Sequence, residues 1–161
     1  MLTTCHRAEN TDDTQRLRQI VEALARLSVH FPVVLPIHPR TRKILAESGL
    51  SERLDGVRIT DPMPFMDMVA LEQAAKVILT DSGGVQKEAF FYGVPCVTMR
   101  DETEWTETIA AGWNVLVGAD ADKIVSAVIS AREGSQDVAP YGNGKASANI
   151  ARTLILASGA S

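Results

Sequence analysis

The stretch from Val77 to Ala89 reads VILTDSGGVQKEA, and it is the most informative part of the sequence about the fold class. It opens with an apolar run typical of a buried strand, and the continuation GVQKEAFFYG has the pattern of a helix that ends at Gly93. The residues Asp-Ser-Gly-Gly lie at the junction between the two. A strand that passes through a tight turn into a helix is the repeating unit of α/β folds.

The same alternation continues on both sides of this stretch. Further strands are predicted at PVVLPIH, GVRIT, PCVTM and WNVLVG, and these runs are apolar enough to be buried on both faces. Helices are predicted at TDDTQRLRQIVEALARLSVH, RTRKILAESG, PFMDMVALEQAA, ETEWTETIAAG, DADKIVSAVISAREG and KASANIARTLILA. Thr11 and Asp12 are the capping candidates of the first helix, and GSQDVAPYGNGKAS predicts a surface connection into the last one. The sequence therefore predicts a doubly wound, Rossmann-like α/β domain with a parallel sheet.

Composition and charge limit the possible functions. The chain has 161 residues, which suits one domain, and its net charge of -4 argues against a broad nucleic-acid-binding face. It contains no apolar run of the ~18 residues that a membrane span needs. The N-terminus MLTTCHRAEN lacks the layout of a signal peptide, so Cys5 and Cys96 are expected to be reduced core thiols in a cytoplasmic protein.

Polar residues follow several of the predicted strands directly. In doubly wound folds, ligands bind outside the carboxyl ends of the strands, so these residues are expected to share one rim. They are Cys5 to Arg7, His38 to Arg40, the segment DPMPF, Thr80 to Gly84, and Arg100 to Glu102. His30 is the exception among the three histidines and is expected to face solvent at a helix end.

The Asp-Ser-Gly-Gly turn has the chemistry of an anion site. A helix N-terminus carries unpaired N–H groups and a partial positive charge, and anions bind there readily. Gly83 and Gly84 let the backbone approach a phosphate, and Ser82 adds a hydroxyl donor. Glu88, six residues after Ser82, can accept from the two hydroxyls of a ribose. A capped turn followed by a solvated glutamate is an equally good explanation of the spacing alone.

Other phosphate and catalytic motifs do not fit this stretch. It lacks the G-x-x-x-x-G-K-[ST] of a P-loop and the G-x-G-x-x-G of a dinucleotide fold. The letters DSGG also occur in the nucleophile loop of serine proteases. That family is all-β, whereas a helix pattern follows Ser82 directly, so the triad would have no scaffold.

Four segments resemble the C-terminal half of the non-hydrolysing UDP-N-acetylglucosamine 2-epimerases. They are TCHRAEN, PIHPRT, LTDSGGVQKEAFFYGVPCVTMRDETEW and YGNGKAS, and the resemblance covers essentially the whole chain. It implies one domain of a two-domain enzyme of the glycosyltransferase-B type, with residues 1–161 forming the C-terminal UDP-binding domain and the N-terminal domain absent.

The resemblance also implies roles for individual residues. The turn of Ser82, Gly83 and Gly84 would hold the UDP diphosphate, and Glu88 would bind the ribose. His6 matches the histidine of the family's H-R-x-E-N segment at the catalytic cleft, where it would assist departure or return of UDP. Arg7, Glu9 and Asn10 belong to the same segment without an assigned task. Arg100 and Glu104 match the segment after the next strand; Arg100 is a candidate for the anionic rim, and a structural ion pair is an equally good explanation of it.

The chain departs from the family pattern at three candidate base-pocket positions. Many members read T-E-R-P-E where this chain has TEWTE, so Trp105 stands where an arginine often contacts the nucleotide. Met63 and Met68 replace a glutamine and a phenylalanine that some relatives carry near the uracil. Methionine at helical spacing is also a common core residue.

The family chemistry is the elimination and re-addition of UDP. A base removes the proton at sugar C2, UDP leaves, and UDP adds back to a 2-acetamidoglucal after protonation from the opposite face. No metal or other cofactor is implied, and the acid–base carboxylates would come mainly from the N-terminal domain of a homodimeric enzyme. We therefore expect weak UDP binding and no turnover by this chain, with a UDP-sugar as the substrate of the full enzyme. A retaining glycosyltransferase domain and a hydrolysing 2-epimerase are the alternative functions, and no nucleic-acid or membrane partner is expected.

Overall fold

The computed structural model describes residues 1–135 and 140–158, which alternate between short strands and helices. The six strands are β1 (Leu2–Thr4), β2 (Val33–Pro36), β3 (Val57–Thr60), β4 (Ile78–Thr80), β5 (Cys96–Thr98) and β6 (Asn114–Leu116). The first helices are α1 (Ala8–Thr11), α2 (Thr14–Ser28), α3 (Pro39–Glu47) and α4 (Phe65–Ala74). The others are α5 (Gly83–Tyr92), α6 (Thr106–Ala110), α7 (Ala121–Ile129) and α8 (Ala146–Ala157), and a 3₁₀ turn spans Ser51–Leu54.

All six strands form one parallel sheet in the order β3-β2-β1-β4-β5-β6. The first strand is central, and the chain moves outward in one direction through β2 and β3 and in the other through β4 to β6. The order reverses between β1 and β4, and this switch point is where doubly wound folds bind ligands. The predicted Rossmann-like fold class is confirmed.

Helices cover both faces of the sheet, which explains why the strands are apolar throughout. Ile78 and Leu79 are both fully buried, although successive side chains of a strand point to opposite faces. Leu79 belongs to the larger core cluster with residues of α2, α3 and α7. Ile78 belongs to a smaller cluster with Val85 and Ala89 of α5, against which Met68 of α4 packs.

Helix caps follow local chemistry, with one correction to the expected boundaries. Thr11 and Asp12 do not cap the first long helix: Thr11 ends α1, and the cap of α2 is Asp13, whose carboxylate accepts from the backbone N–H groups of Gln15 and Arg16 at 2.8 and 3.0 Å. The expectation failed because the segment before the cap folds into a helical turn of its own. Gly93 ends α5 as predicted, with a left-handed φ of +65°.

The remaining expectations about the scaffold concern the thiols, the surface connection and His30. Cys5 and Cys96 are free and buried, as predicted, and His30 is exposed. Residues 136–139 of the predicted surface connection lie outside the described residues. No helix within the described ranges is long and apolar enough to cross a membrane.

Candidate functional site

The candidate site lies where β1 and β4 end side by side at the switch point. Thr4 and Thr80 are register partners, and their hydroxyl oxygens are 2.6 Å apart. The chain leaves β1 towards His6 and leaves β4 towards Ser82, so the fold brings together two of the predicted segments that are 76 residues apart. This placement follows from the strand order, since neighbouring parallel strands end at one edge.

Asp81 connects these two segments. Its fully buried carboxylate accepts hydrogen bonds from the backbone N–H groups of His6 and Arg7 at 3.1 and 3.0 Å and from the Asn10 side-chain amide at 3.2 Å. The Nδ1 atom of His6 lies 3.5 Å from the same carboxylate, and about half of the His6 side chain is exposed. Asp81 therefore fixes the position of His6. The sequence analysis did not assign Asp81 a role, although its place directly after a buried strand was a usable signal.

The start of α5 leaves room for an anion. Ser82 is the N-cap, its Oγ accepts from the N–H of Val85 at 3.4 Å, and its hydroxyl proton remains able to donate. The first N–H groups of a helix have no partner within the helix, so those of Gly83 and Gly84 are available to a ligand. A methyl group added to Gly84 would meet only the Ser82 hydroxyl, at 3.8 Å, which shows that the space beside this glycine is open.

Gly83 is different, because protein packs against it. A Cβ at Gly83 would lie 2.6 Å from the Glu104 carboxylate and 3.3 Å from Trp105 Nε1. The segment after β5 thus closes over one side of the turn. A side chain at residue 83 would have to displace the Glu104 carboxylate, so this packing favours glycine there independently of any ligand.

Arg100 is engaged by an acidic neighbour rather than free. It is buried, and its guanidinium donates to the Glu104 carboxylate at 2.8 Å. A hydrogen bond from the residue's own backbone N–H and the Arg100 guanidinium both lower the pKa of Glu104. Arg100 Nε has no hydrogen-bond partner among the described residues. The structural ion pair considered as the alternative for Arg100 is therefore present.

Trp105 packs against the start of α5, close to Gly83. Its ring lies beside α5, with the Lys87 ammonium 4.4 Å from the ring centroid. The same ammonium lies 4.7 Å from the ring of Tyr141. Neither of the two cavities that Met63 and Met68 line includes Trp105. Lys87, a cation one helical turn from Gly83, was not predicted as a site residue from the sequence.

The two methionines line a pair of adjoining cavities between the strand ends and helices α4 and α5. One cavity, of about 310 Å³, is shared with His6 and His38. The other, of about 350 Å³, is shared with Glu88 and with Glu72, a buried residue that the sequence analysis passed over. His6, Met63, Met68 and Glu88 therefore border one groove beside the Ser82 turn.

A larger cavity lies elsewhere in the domain. It has a volume of about 760 Å³ and is formed by β5, β6, α7 and the segment after α7. None of the predicted site residues lines it. Its position away from the switch point makes the smaller groove the candidate site.

Sequence comparison places the chain beside nucleotide-sugar epimerases. Residues 1–155 match the family described as UDP-N-acetylglucosamine 2-epimerase. The UDP-2,3-diacetamido-2,3-dideoxy-D-glucuronate 2-epimerase of Pseudomonas aeruginosa is 54% identical over 157 residues, which are 96% of this chain and 44% of that protein. The UDP-N-acetylglucosamine 2-epimerase of Methanocaldococcus jannaschii is 42% identical over 159 residues, 95% of this chain and 43% of that protein. The chain thus spans less than half the length of these relatives.

Structural comparison agrees. The crystal structure of the M. jannaschii enzyme in complex with UDP-GlcNAc and UDP superposes with a TM-score of 0.81 at 39% identity, over 96% of this chain and 44% of that one. The Neisseria meningitidis enzyme bound to UDP-GlcNAc gives a TM-score of 0.79 at 31% identity, with coverage of 96% and 44%. The sequence resemblance is therefore confirmed: the chain belongs to the UDP-N-acetylglucosamine 2-epimerase family.

Proposed function

We propose that this chain is the nucleotide-binding part of a UDP-sugar 2-epimerase. The observation that carries the proposal is the meeting of His6 and the Ser82 turn at the switch point, joined by the buried Asp81 carboxylate. One segment supplies a proton-transferring side chain and the other an anion site. Both are needed where a nucleoside diphosphate leaves a sugar and returns to it.

The start of α5 would hold the diphosphate. Its unpaired N–H groups at Gly83 and Gly84 donate to phosphate oxygens, and the helix dipole favours their negative charge. The Ser82 hydroxyl adds a further donor, and Lys87, one helical turn after Gly83, adds positive charge near the start of the helix. Arg100 contributes to the positive field, although Glu104 neutralises much of its charge.

The groove beside the turn would hold the nucleoside. Glu88 projects from α5 into the cavity lined by Met63 and Met68, so a carboxylate for the ribose hydroxyls lies next to an apolar wall for the base. Methionine side chains adapt to a flat ring through several rotatable bonds. This arrangement orders the ligand along α5, with the diphosphate at its N-terminus and the nucleoside along its first turns.

His6 would act at the bond between UDP and the sugar. Asp81 holds its Nδ1 side, so Nε2 is the nitrogen free to face a leaving phosphate oxygen. In the elimination, a base takes the C2 proton, the C1–O bond breaks, and UDP departs with the bonding electrons. The re-addition reverses these steps after protonation at C2 from the other face. The C2 acid–base groups would come from a separate N-terminal domain, which would also carry the dimer contact of the whole enzyme.

The substrate class follows from what the relatives share. The names of the P. aeruginosa and M. jannaschii proteins each specify a UDP-linked sugar with an acetamido group at C2. We propose the same class here, with interconversion of the two C2 epimers. Family membership supports an epimerase over a retaining glycosyltransferase. Product analysis with the full-length enzyme distinguishes a retained UDP-sugar from the free sugar that a hydrolysing epimerase would release.

Gly84→Ala tests the diphosphate site directly. The added methyl group has open space in the unliganded protein, and alanine favours a helix more than glycine, so thermal stability should be kept or raised. The methyl group would nevertheless occupy the approach of a phosphate. We expect calorimetric titration with UDP to show binding by the natural chain and a loss of at least about tenfold in the variant. Unchanged affinity in the stable variant would contradict the proposed site.

A further inference from the structure

Glu72 is a buried acid on α4 to which the proposed function assigns no role. Only 2% of the residue is exposed, and its Oε2 atom has no hydrogen-bond partner among the described residues. Burying a polar atom without a partner costs about 1–3 kcal/mol, so such an atom calls for an explanation. A helix surface residue needed only for solubility would be exposed instead.

The surroundings of Glu72 point to a ligand. Glu72 lines the 350 Å³ cavity together with Glu88, and the rest of the lining is apolar: Met63, Phe65, Met68, Val69 and Val85. The cavity thus contains two carboxyl groups and an otherwise non-polar wall. Ligand pockets typically combine an apolar lining with a few placed polar groups of this kind.

The two carboxyl groups differ in charge state. Burial, and then the negative charge of Glu88, raise the pKa of Glu72 to about 7. About half of the Glu72 carboxyl groups are therefore protonated at pH 7, and most are protonated at about pH 6. A protonated carboxyl presents one donor and one acceptor side by side, whereas an ionised carboxylate only accepts. The imide edge of a uracil also presents a donor beside an acceptor, the N3–H next to a carbonyl, so the two groups are complementary.

We propose that Glu72 is a specificity-determining residue of the nucleoside pocket, where its neutral carboxyl pairs with the imide edge of the uracil while Glu88 accepts from the ribose hydroxyls. This inference rests on the proposed function, because its ligand is the nucleoside of the UDP-sugar. It adds a polar contact to a base pocket that the sequence analysis described through methionines and a tryptophan alone.

The other ionisable groups near Glu72 are few. Helix α5 presents Glu88 and Tyr92, and burial together with the charges of Glu72 and Glu88 raises the pKa of Tyr92. Among the strand residues packed beneath, Cys96 is ionisable, and burial raises the pKa of its thiol to about 12. His6 and His38 lie in the adjoining cavity.

Two variants separate a ligand contact from a structural role. Glu72→Gln keeps a donor and an acceptor without a titratable group, and Glu72→Leu keeps the approximate size without either. Calorimetric titrations would use UDP-N-acetylglucosamine, whose diphosphate does not change protonation near neutral pH. At about pH 6 we expect Glu72→Gln to bind within about threefold of the natural chain and Glu72→Leu to lose about tenfold. Asp67→Asn, on the exposed side of α4, is the matched control and should bind normally.

The pH dependence supplies a second readout. Raising the pH from about 6 to about 8 removes the Glu72 proton, so the affinity of the natural chain should fall relative to that of Glu72→Gln. The histidines are present in both proteins, and the difference therefore isolates residue 72. Full affinity in Glu72→Leu, or parallel pH profiles, would overturn the inference while leaving the proposed function intact. A natural chain that does not bind the nucleotide sugar would instead refute the proposed function itself.

Discussion

Asp81 illustrates how one buried side chain can hold a site together. Its carboxylate satisfies two backbone N–H groups and one side-chain amide, and it contacts the His6 ring. If Asp81 were replaced by a neutral amide, the side chain could no longer accept hydrogen bonds from all of these donors. The loss should lower the stability of the fold and also disturb the site, because the same hydrogen bonds connect the segments that follow β1 and β4.

Asp81→Asn should destabilise the domain by about 2–4 kcal/mol, since buried donors lose a charged acceptor. Urea unfolding measures the change. Asp122→Asn is the control, because Asp122 is almost fully exposed and forms a surface ion pair with Arg26. Equal stability of the two variants would show that Asp81 does not bear the connecting role described.

A comparison of Ser82 with Asp120 tests whether the N-cap residue of α5 also binds UDP. Each is the N-cap of its helix and accepts from a backbone N–H three residues later, Ser82 in α5 and Asp120 in α7. Substituting alanine for either should cost roughly 1 kcal/mol of stability. Only Ser82→Ala should also weaken UDP binding, by a few-fold, in calorimetric titration. Equal weakening by both variants would indicate an effect of stability alone.

The elements of the fold follow largely from sequence patterns. Apolar runs predicted five of the six described strands, and alternation with helical spacing predicted the parallel sheet, because both signals are local. The short strand β1 was not predicted. The strand order is not local, since β1 pairs with β4 across more than 70 residues. The helical turn α1 was missed because the buried hydrogen bonds of Asn10 to Asp81 and to the Met99 carbonyl hold it in place.

The site was predicted only in part, because some of its features are local in the sequence and others depend on tertiary packing. The Ser82 turn has a local signature, whereas the position of Trp105 depends on how the segment after β5 packs over Gly83. Glu72 was not recognised because α4 buries an acid and exposes Phe65 and Met66, which inverts the usual pattern of an amphipathic helix. Such inversions mark places where the sequence departs from the most stable choice.

Helix α4 should make stability depend on pH through Glu72. Its pKa in the folded chain, about 7, lies above that of an unfolded glutamate, so the folded state retains a proton that the unfolded state has released. The free energy of unfolding should fall as the pH rises from the pKa of an unfolded glutamate to about 7. This loss of stability is complete above about pH 8. Between about pH 5 and about pH 8, the free energy of unfolding of the natural chain should fall by about 2–3 kcal/mol relative to that of Glu72→Gln. Urea unfolding of both proteins from about pH 5 to about pH 8 would show parallel curves if Glu72 were not buried as an acid.

Across the described residues, the proposed function assigns several groups to nucleotide binding and one side chain, His6, to proton transfer. The proposed chemistry at C2 needs further carboxylates. We therefore expect UDP to raise the melting temperature of the isolated chain in a concentration-dependent way. Incubation with UDP-N-acetylglucosamine should give no C2 epimer by NMR. Epimerisation by the chain alone would place the complete acid–base set within these residues.

The central position of β1 gives this site an unusual relation to folding. Strands β2 and β3 on one side and β4 to β6 on the other are joined through three residues, Leu2–Thr4. Each flank is assembled mainly from neighbouring stretches of chain, whereas the junction requires the first residues to insert between them. The candidate groove lies at that junction. A nucleotide bound there as proposed would need β1 paired on both sides, so it should stabilise the assembled sheet against unfolding.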